Sequence, residues 1–168
     1  MLQWTQLFWD ICLLRKTPQN LPYSLALLWI LLPIAFILDC LTTQVQNPAA
    51  GFGQVLLAVM TLTLLYLLVV VSLLVLLGLG TRIVQTLSSL LGAGMILNLL
   101  ALPLLFSFDP QQPGVEVWLS LLLLLWNLVV NTHILRAAMS RGFFLSAALA
   151  VALYLLQMQI YVQFFPLS

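Results

Sequence analysis

Long apolar runs separated by short polar gaps set the outline of this chain. Five runs, at about 23–41, 54–77, 83–106, 115–135 and 143–164, approach or exceed the ~20 apolar residues a helix needs to cross the hydrocarbon of a bilayer. Ahead of them, residues 1–16 carry Trp4, Leu7, Phe8, Ile11 and Leu14 at helical spacing. Trp9, Arg15 and Lys16 accompany that stripe. Tryptophan and basic side chains favour the headgroup zone, so the pattern predicts a short helix lying on the cytoplasmic leaflet. The expected fold class is all-α: a polytopic membrane protein of five transmembrane helices with an amphipathic N-terminal interfacial helix. Residues 1–168 read as a single membrane domain.

The gaps carry the breakers. Pro18 and Pro22 interrupt the chain after the first helix, because proline lacks a donor and disfavours helix just before itself. Pro33 falls inside the first run and is expected to kink it. The stretch 42–53 reads as a polar gap with a turn at Asn47-Pro48. Gly78-Leu79-Gly80 closes the second run, Asp109-Pro110 and Pro113-Gly114 separate the third from the fourth, and Ser140-Arg141-Gly142 forms a tight turn before the fifth. The opening residues lack a basic segment ahead of the apolar one and a small-residue cleavage site, so no signal peptide is expected.

Charge then orients the chain. Arg15, Lys16, Arg82, Arg136 and Arg141 fall in alternate gaps, and Asp39, Asp109 and Glu116 in the others. The positive-inside rule places the N-terminus in the cytoplasm and the C-terminus outside, in the periplasm of a bacterial inner membrane. Charged residues make up 5% of the chain and hydrophobic ones 64%, against roughly a quarter charged in soluble domains. Lipid is therefore the first expected partner. The net charge of +1 offers no field for gathering nucleic acid or acidic substrates. Cys12 and Cys40 fall at opposite faces of the expected membrane, too far apart for a disulfide.

Chemistry has few places to reside. The expected spans hold no Asp, Glu, Lys or Arg near their middle, which argues against a carboxylate-based proton relay. Asn127 and Asn131 share a face of the fourth span, and Asn98 of the third lies at a depth similar to Asn127. Asn98 and Asn127 are expected to bond across a helix interface, as polar glue or as the lining of a path. His133, the single histidine, completes the candidate intramembrane polar cluster of Asn98, Asn127, Asn131 and His133. No catalytic set assembles, and no ligand set for a metal or cofactor. Ser88, Gly92 and Gly94 form one small-residue face, Ser146 and Ala150 a second, and the two are expected to pack on each other. Gln157, Gln159 and Gln163 read as solvating or packing groups near the outer end of the last span.

Two segments carry a family likeness. Thr81-Arg82-Ile83-Val84-Gln85-Thr86 leads into a small-residue helix ending near Pro103, and 126–136 with 140–152 forms a hairpin whose second helix is rich in small residues. With the short N-terminal helix and proline linker, the pattern resembles small bacterial members of the Ypt-interacting-protein (Yip) family. The DLYGP-like segment and soluble N-terminal region of eukaryotic members are absent from this sequence. The resemblance implies a five-span fold and a non-enzymatic membrane organiser.

The leading functional expectation is thus a non-catalytic scaffold or accessory subunit that binds other membrane proteins. The second is a small transporter or channel-like protein for a neutral or apolar solute, with the amides and His133 along its path. A lipid-directed enzyme ranks last. A water-accessible cavity beside the amides distinguishes the second reading from the first; a dry helix contact favours the scaffold.

Overall fold

The computed structural model describes residues 2–107 and 114–166. It is all-helical, with no strand among the described residues. The order is α1 (Leu2–Cys12), α2 (Leu25–Gln46), α3 (Phe52–Leu76), α4 (Ile83–Ser107), α5 (Val115–Met139) and α6 (Phe143–Phe164). Short 3₁₀ turns at Pro18–Asn20 and Gly80–Arg82 lead into α2 and α4. Helices α2 to α6 are each long and apolar enough to cross a membrane. The Asp109-Pro110 break lies outside the described residues.

The five long helices close a ring. Helix α2 packs on α3, α3 on α6, α6 on α5, α5 on α4, and α4 back on α2. Helix α4 is the most enclosed, with α1 also lying against it. Its first half brings small residues to the inside: Ser88, Ser89, Gly92 and Ala93 are all buried. Leucine and valine elsewhere face outward in number, as a lipid-covered surface requires.

Two spans run on past the sequence expectation, α5 to Met139 rather than residue 135 and α2 further still, and the extension of α2 matters. The first span ends at Gln46 rather than near residue 41. Polar residues 42–46 continue the helix, because nothing breaks it before Asn47-Pro48. Asp39 is therefore inside a membrane-length helix, not in a gap. It follows Leu25 by 14 residues, about 21 Å at ~1.5 Å per residue.

The small-residue faces also find partners other than those expected. The main neighbours of α4 are α2, α5 and α1, and those of α6 are α5 and α3. Gly92 receives the Phe8 ring of α1, so closely that a Cβ there would collide with it. Gly94 and Ala150 line a cavity instead of packing face to face. The Ser146 hydroxyl bonds back to the Gly142 carbonyl within α6.

Helix α1 runs along α4 in the antiparallel sense. The Cys12 thiol reaches the Ala93 carbonyl, Phe8 meets Gly92, and Thr5, Gln6, Trp9 and Asp10 share a groove with Ile96, Leu99 and Leu100. Those α4 residues lie about 14 to 26 Å beyond Ile83, at ~1.5 Å per residue. The amphipathic helix thus docks on the central turns of α4. Burial of Phe8, Ile11 and Cys12 drives that docking, and Gly92 provides the room.

Both ends of the ring are tied by side chains. At one end Arg82 donates to the carbonyls of Ala137 (3.4 Å) and Ala138 (3.0 Å) and to the Ser140 hydroxyl (2.6 Å). Gln85 donates to the Leu21 carbonyl at 2.6 Å, and Gln19 to that of Ala137 at 3.2 Å. At the other end Asn47 donates to the Tyr161 hydroxyl at 2.5 Å and Gln54 to the Phe164 carbonyl at 2.5 Å.

Candidate functional site

Each long helix sends a polar side chain into one partly open cavity of about 190 Å³. Helix α2 contributes Asp39, α3 Thr63 and Tyr66, α4 Asn98, α5 Asn127 and Asn131, and α6 Tyr154 and Gln157. The stripes that bring them there follow helical spacing. On α2 the inward residues are Leu31, Ala35 and Asp39, one turn apart. On α3, buried Val59 and Val70 bracket Thr63 and Tyr66 on the same face. On α6, Ser146, Ala150 and Leu153 lead to Tyr154 and Gln157. Small residues near the cavity, Ala35, Gly94 and Ala150, leave the space that the polar groups share.

Two hydrogen-bonded groups face each other in this space. In the first, the Asn98 amide donates to Asp39 Oδ1 at 2.6 Å. In the second, the Tyr66 hydroxyl donates to Asn131 Oδ1 at 2.9 Å. The Asn131 amide in turn donates to the Asn127 carbonyl at 2.9 Å and closely to the Asn127 side-chain oxygen. The expected Asn98–Asn127 bond is therefore replaced. Asn98 selects the carboxylate of α2, a stronger acceptor than an amide, and Asn127 pairs within its own helix.

Among the described residues no Lys, Arg or His lines the cavity. Asp39 consequently has an amide partner but no counter-charge. The basic residues gather elsewhere: Arg136 and Arg141 line a separate pocket beside Arg82's contacts, and Lys16 pairs with Asp10 at 3.0 Å. His133 belongs to that second region as well. Its Nε2 lies 3.0 Å from the Lys16 carbonyl, and it lines the pocket of Arg136 and Arg141 rather than the amide cavity. Three of the four expected cluster residues are brought together, and the histidine is not.

Thr63, Tyr66 and Tyr154 also line the cavity and were not singled out from the sequence; Asp39 was read there as a gap residue and Gln157 as a solvating or packing group. For Asp39 the usable signal was the missing breaker before Asn47-Pro48, which lets the helix run on. For Tyr66 it was the spacing from Val59 and Val70. The donors are all oxygens and amides, and no group of three His, Cys, Asp or Glu side chains capable of holding a metal ion occurs among the described residues.

Cys12 and Cys40 are both free thiols. Burial against α4 pushes the Cys12 thiol up to about 11.

Five apolar helices that share a polar-lined cavity define a multi-pass, membrane-protein-like helical architecture. No family model matches the chain, and no curated protein and no solved structure matches it either.

Proposed function

We propose that the protein is a small transporter or channel-like membrane protein that holds a small cation at Asp39. One observation carries this reading: a carboxylate lines a cavity between membrane-length helices that no basic side chain lines among the described residues. An ionised group at membrane depth costs about 2.5–3.5 kcal/mol on insertion scales unless it is compensated. Asn98 supplies a hydrogen bond to Asp39 but no charge. A proton or a bound cation supplies the rest. The surrounding hydroxyl and amide oxygens of Tyr66, Asn127, Tyr154 and Gln157 suit a hard monovalent cation or a protonated amine, replacing part of its hydration shell. The volume, about 190 Å³, falls below the roughly 300–1,000 Å³ of pockets for drug-sized ligands, so the solute is small. A small cation matches an ionised carboxylate better than the neutral or apolar solute expected from the sequence.

The reading includes the basic end in the cytoplasm of a bacterial inner membrane, following the positive-inside rule. It assigns no catalysis.

A second reading, the Yip-like scaffold that organises other membrane proteins, draws on a different observation. Asn98, Asp39, Tyr66, Asn131 and Asn127 satisfy one another, as groups that only hold helices together do.

Flux separates the two. Purified protein in liposomes is expected to admit methylammonium or an alkali cation faster than protein-free liposomes. Asp39→Asn is expected to slow that flux by at least about tenfold, the equivalent of ~1.4 kcal/mol, while folding normally. Wild-type flux equal to that of empty vesicles, or Asp39→Asn flux equal to wild type, overturns the transport reading and leaves the scaffold.

A further inference from the structure

A second pocket, of about 420 Å³, lies at the basic end. It is lined by Thr17, Gln19, His133, Arg136, Ser140 and Arg141, together with Ala137. No carboxylate is among these residues. Arg136 and Arg141 are exposed and make no hydrogen bond or ion pair among the described residues. The last turn of a helix ordinarily offers acceptors to such cations. Here those acceptors are taken: Arg82 occupies the carbonyls of Ala137 and Ala138 and the Ser140 hydroxyl, and Gln19 also reaches Ala137. Two guanidinium groups are thus left beside a polar hollow with their own helix end already capped.

We infer that this pocket binds the phosphate of an anionic phospholipid headgroup, with Arg136 and Arg141 as its main ligands. Guanidinium groups match phosphate oxygens in a bidentate fork. Ser140 places a hydroxyl in the same lining and Gln19 an amide, whereas the Thr17 hydroxyl already donates to Asn20 Oδ1 at 3.0 Å. Gly142 follows Arg141 and starts α6 without a side-chain cap, so the positive end of that helix adds to the field. The first turn of α6 favours a lipid over a soluble anion. Phe143, Phe144 and Leu145 are exposed there, and the two rings stack edge to face at 5.8 Å. They form an apolar surface for acyl chains directly beside the arginines. The pocket shares no residue with the Asp39 cavity, so this inference does not rest on the transport reading.

The test is lipid retention by purified protein in mixed vesicles of phosphatidylglycerol and phosphatidylcholine, read by native mass spectrometry. Wild type is expected to retain phosphatidylglycerol in preference to phosphatidylcholine. The double substitution Arg136→Gln with Arg141→Gln is expected to weaken that retention about thirtyfold, at ~1 kcal/mol for each arginine near the headgroups. Arg136→Lys with Arg141→Lys, which keeps the charge, is expected to recover part of it. Equal retention of the two lipids by wild type overturns the inference, as does unchanged retention in the glutamine variant. Inorganic phosphate displacing the lipid at low millimolar concentration also overturns it, because the site would then belong to a soluble anion.

Discussion

The amide of Asn98 donates to Asp39 Oδ1 at 2.6 Å, joining α4 to α2 across 59 residues of sequence. This contact turns an isolated carboxylate into part of a cavity wall, and its removal has a defined consequence. An average hydrogen bond between membrane helices contributes only ~0.6 kcal/mol. Leaving a partly buried charged acceptor without its donor costs more, about 1–3 kcal/mol. Asn98→Leu is therefore expected to lower stability by ~1–3 kcal/mol, measured by unfolding in mixed dodecylmaltoside–SDS micelles. Adding Asp39→Asn to that variant is expected to restore much of the loss, because the charge is gone. A loss of only a few tenths from Asn98→Leu would mean that Asp39 takes its hydrogen bonds elsewhere.

Asn131 occupies the junction of the second group: it accepts from Tyr66 and donates to Asn127. Tyr66→Phe removes one donor and keeps the ring, so a cost of ~0.6 kcal/mol is expected. Asn131→Leu removes the acceptor and both donated bonds, and is expected to cost about two to three times as much. The order of the two variants, measured in the same micelle titration, is the check. Equal effects would place the energetics in the tyrosine ring's packing instead.

Much of this fold is legible in the sequence. Apolar runs of membrane length identify the five helices, and Ser140-Arg141-Gly142 identifies the last hairpin turn. The pairing of the helices is not legible, for a physical reason. Inside lipid nearly every face is apolar, so hydropathy no longer marks which face points inward. Asp39 shows the effect most plainly. Hydropathy ends the first span before the polar residues 42–46, yet helix continues until a real breaker arrives at Asn47-Pro48. The site was half legible. Asn98, Asn127 and Asn131 stand out as polar residues in apolar runs, whereas Tyr66 is an ordinary residue until α3 turns it towards Asn131. His133 satisfies itself on the Lys16 carbonyl, a contact that depends on where the linker after α1 crosses α5.

Gly92 and Phe8 decide how α1 is held. A Cβ at residue 92 would overlap the Phe8 ring, so Gly92→Ala forces the helix to shift. Overpacking of this kind costs about 1–3 kcal/mol. Cys12 reports the shift, because its thiol is buried against the Ala93 carbonyl. Maleimide is expected to label wild-type Cys12 slowly and the Gly92→Ala variant faster. A Cys40→Ser background isolates the signal.

The same thiol gives a pH dependence. Burial raises Cys12 from its ordinary value of 9.0 to about 11, so the fold favours the neutral thiol. Its contribution to stability is fully present below 9.0 and is lost as pH rises through about 11. The docked helix is expected to loosen in that alkaline window, and Cys12→Ala to remove that part of the pH dependence. Tryptophan fluorescence of Trp4 and Trp9 across pH 8 to about 11.5 follows it. An identical alkaline transition in Cys12→Ala would assign it to another group.

Arg82 reaches three acceptors at the end of α5, the carbonyls of Ala137 and Ala138 and the hydroxyl of Ser140. Ser140 itself sits in the left-handed region, at φ 52°, where the helix stops. The guanidinium thus fixes both the last carbonyls of α5 and the turn into α6. Charge-assisted hydrogen bonds contribute about 1.5–3 kcal/mol, and Arg82→Gln forfeits most of that. All three contacts come from one guanidinium nitrogen, Nη1; lysine keeps the charge on a stem of different length and shape, so Arg82→Lys is expected to fall between wild type and Arg82→Gln. Hydrogen exchange localises the effect: amides in the last turn of α5 and the first turn of α6 are expected to exchange faster in Arg82→Gln, while those around Asp39 keep their protection. Uniform acceleration across all five long helices would show instead that Arg82 supports the whole ring and not one turn.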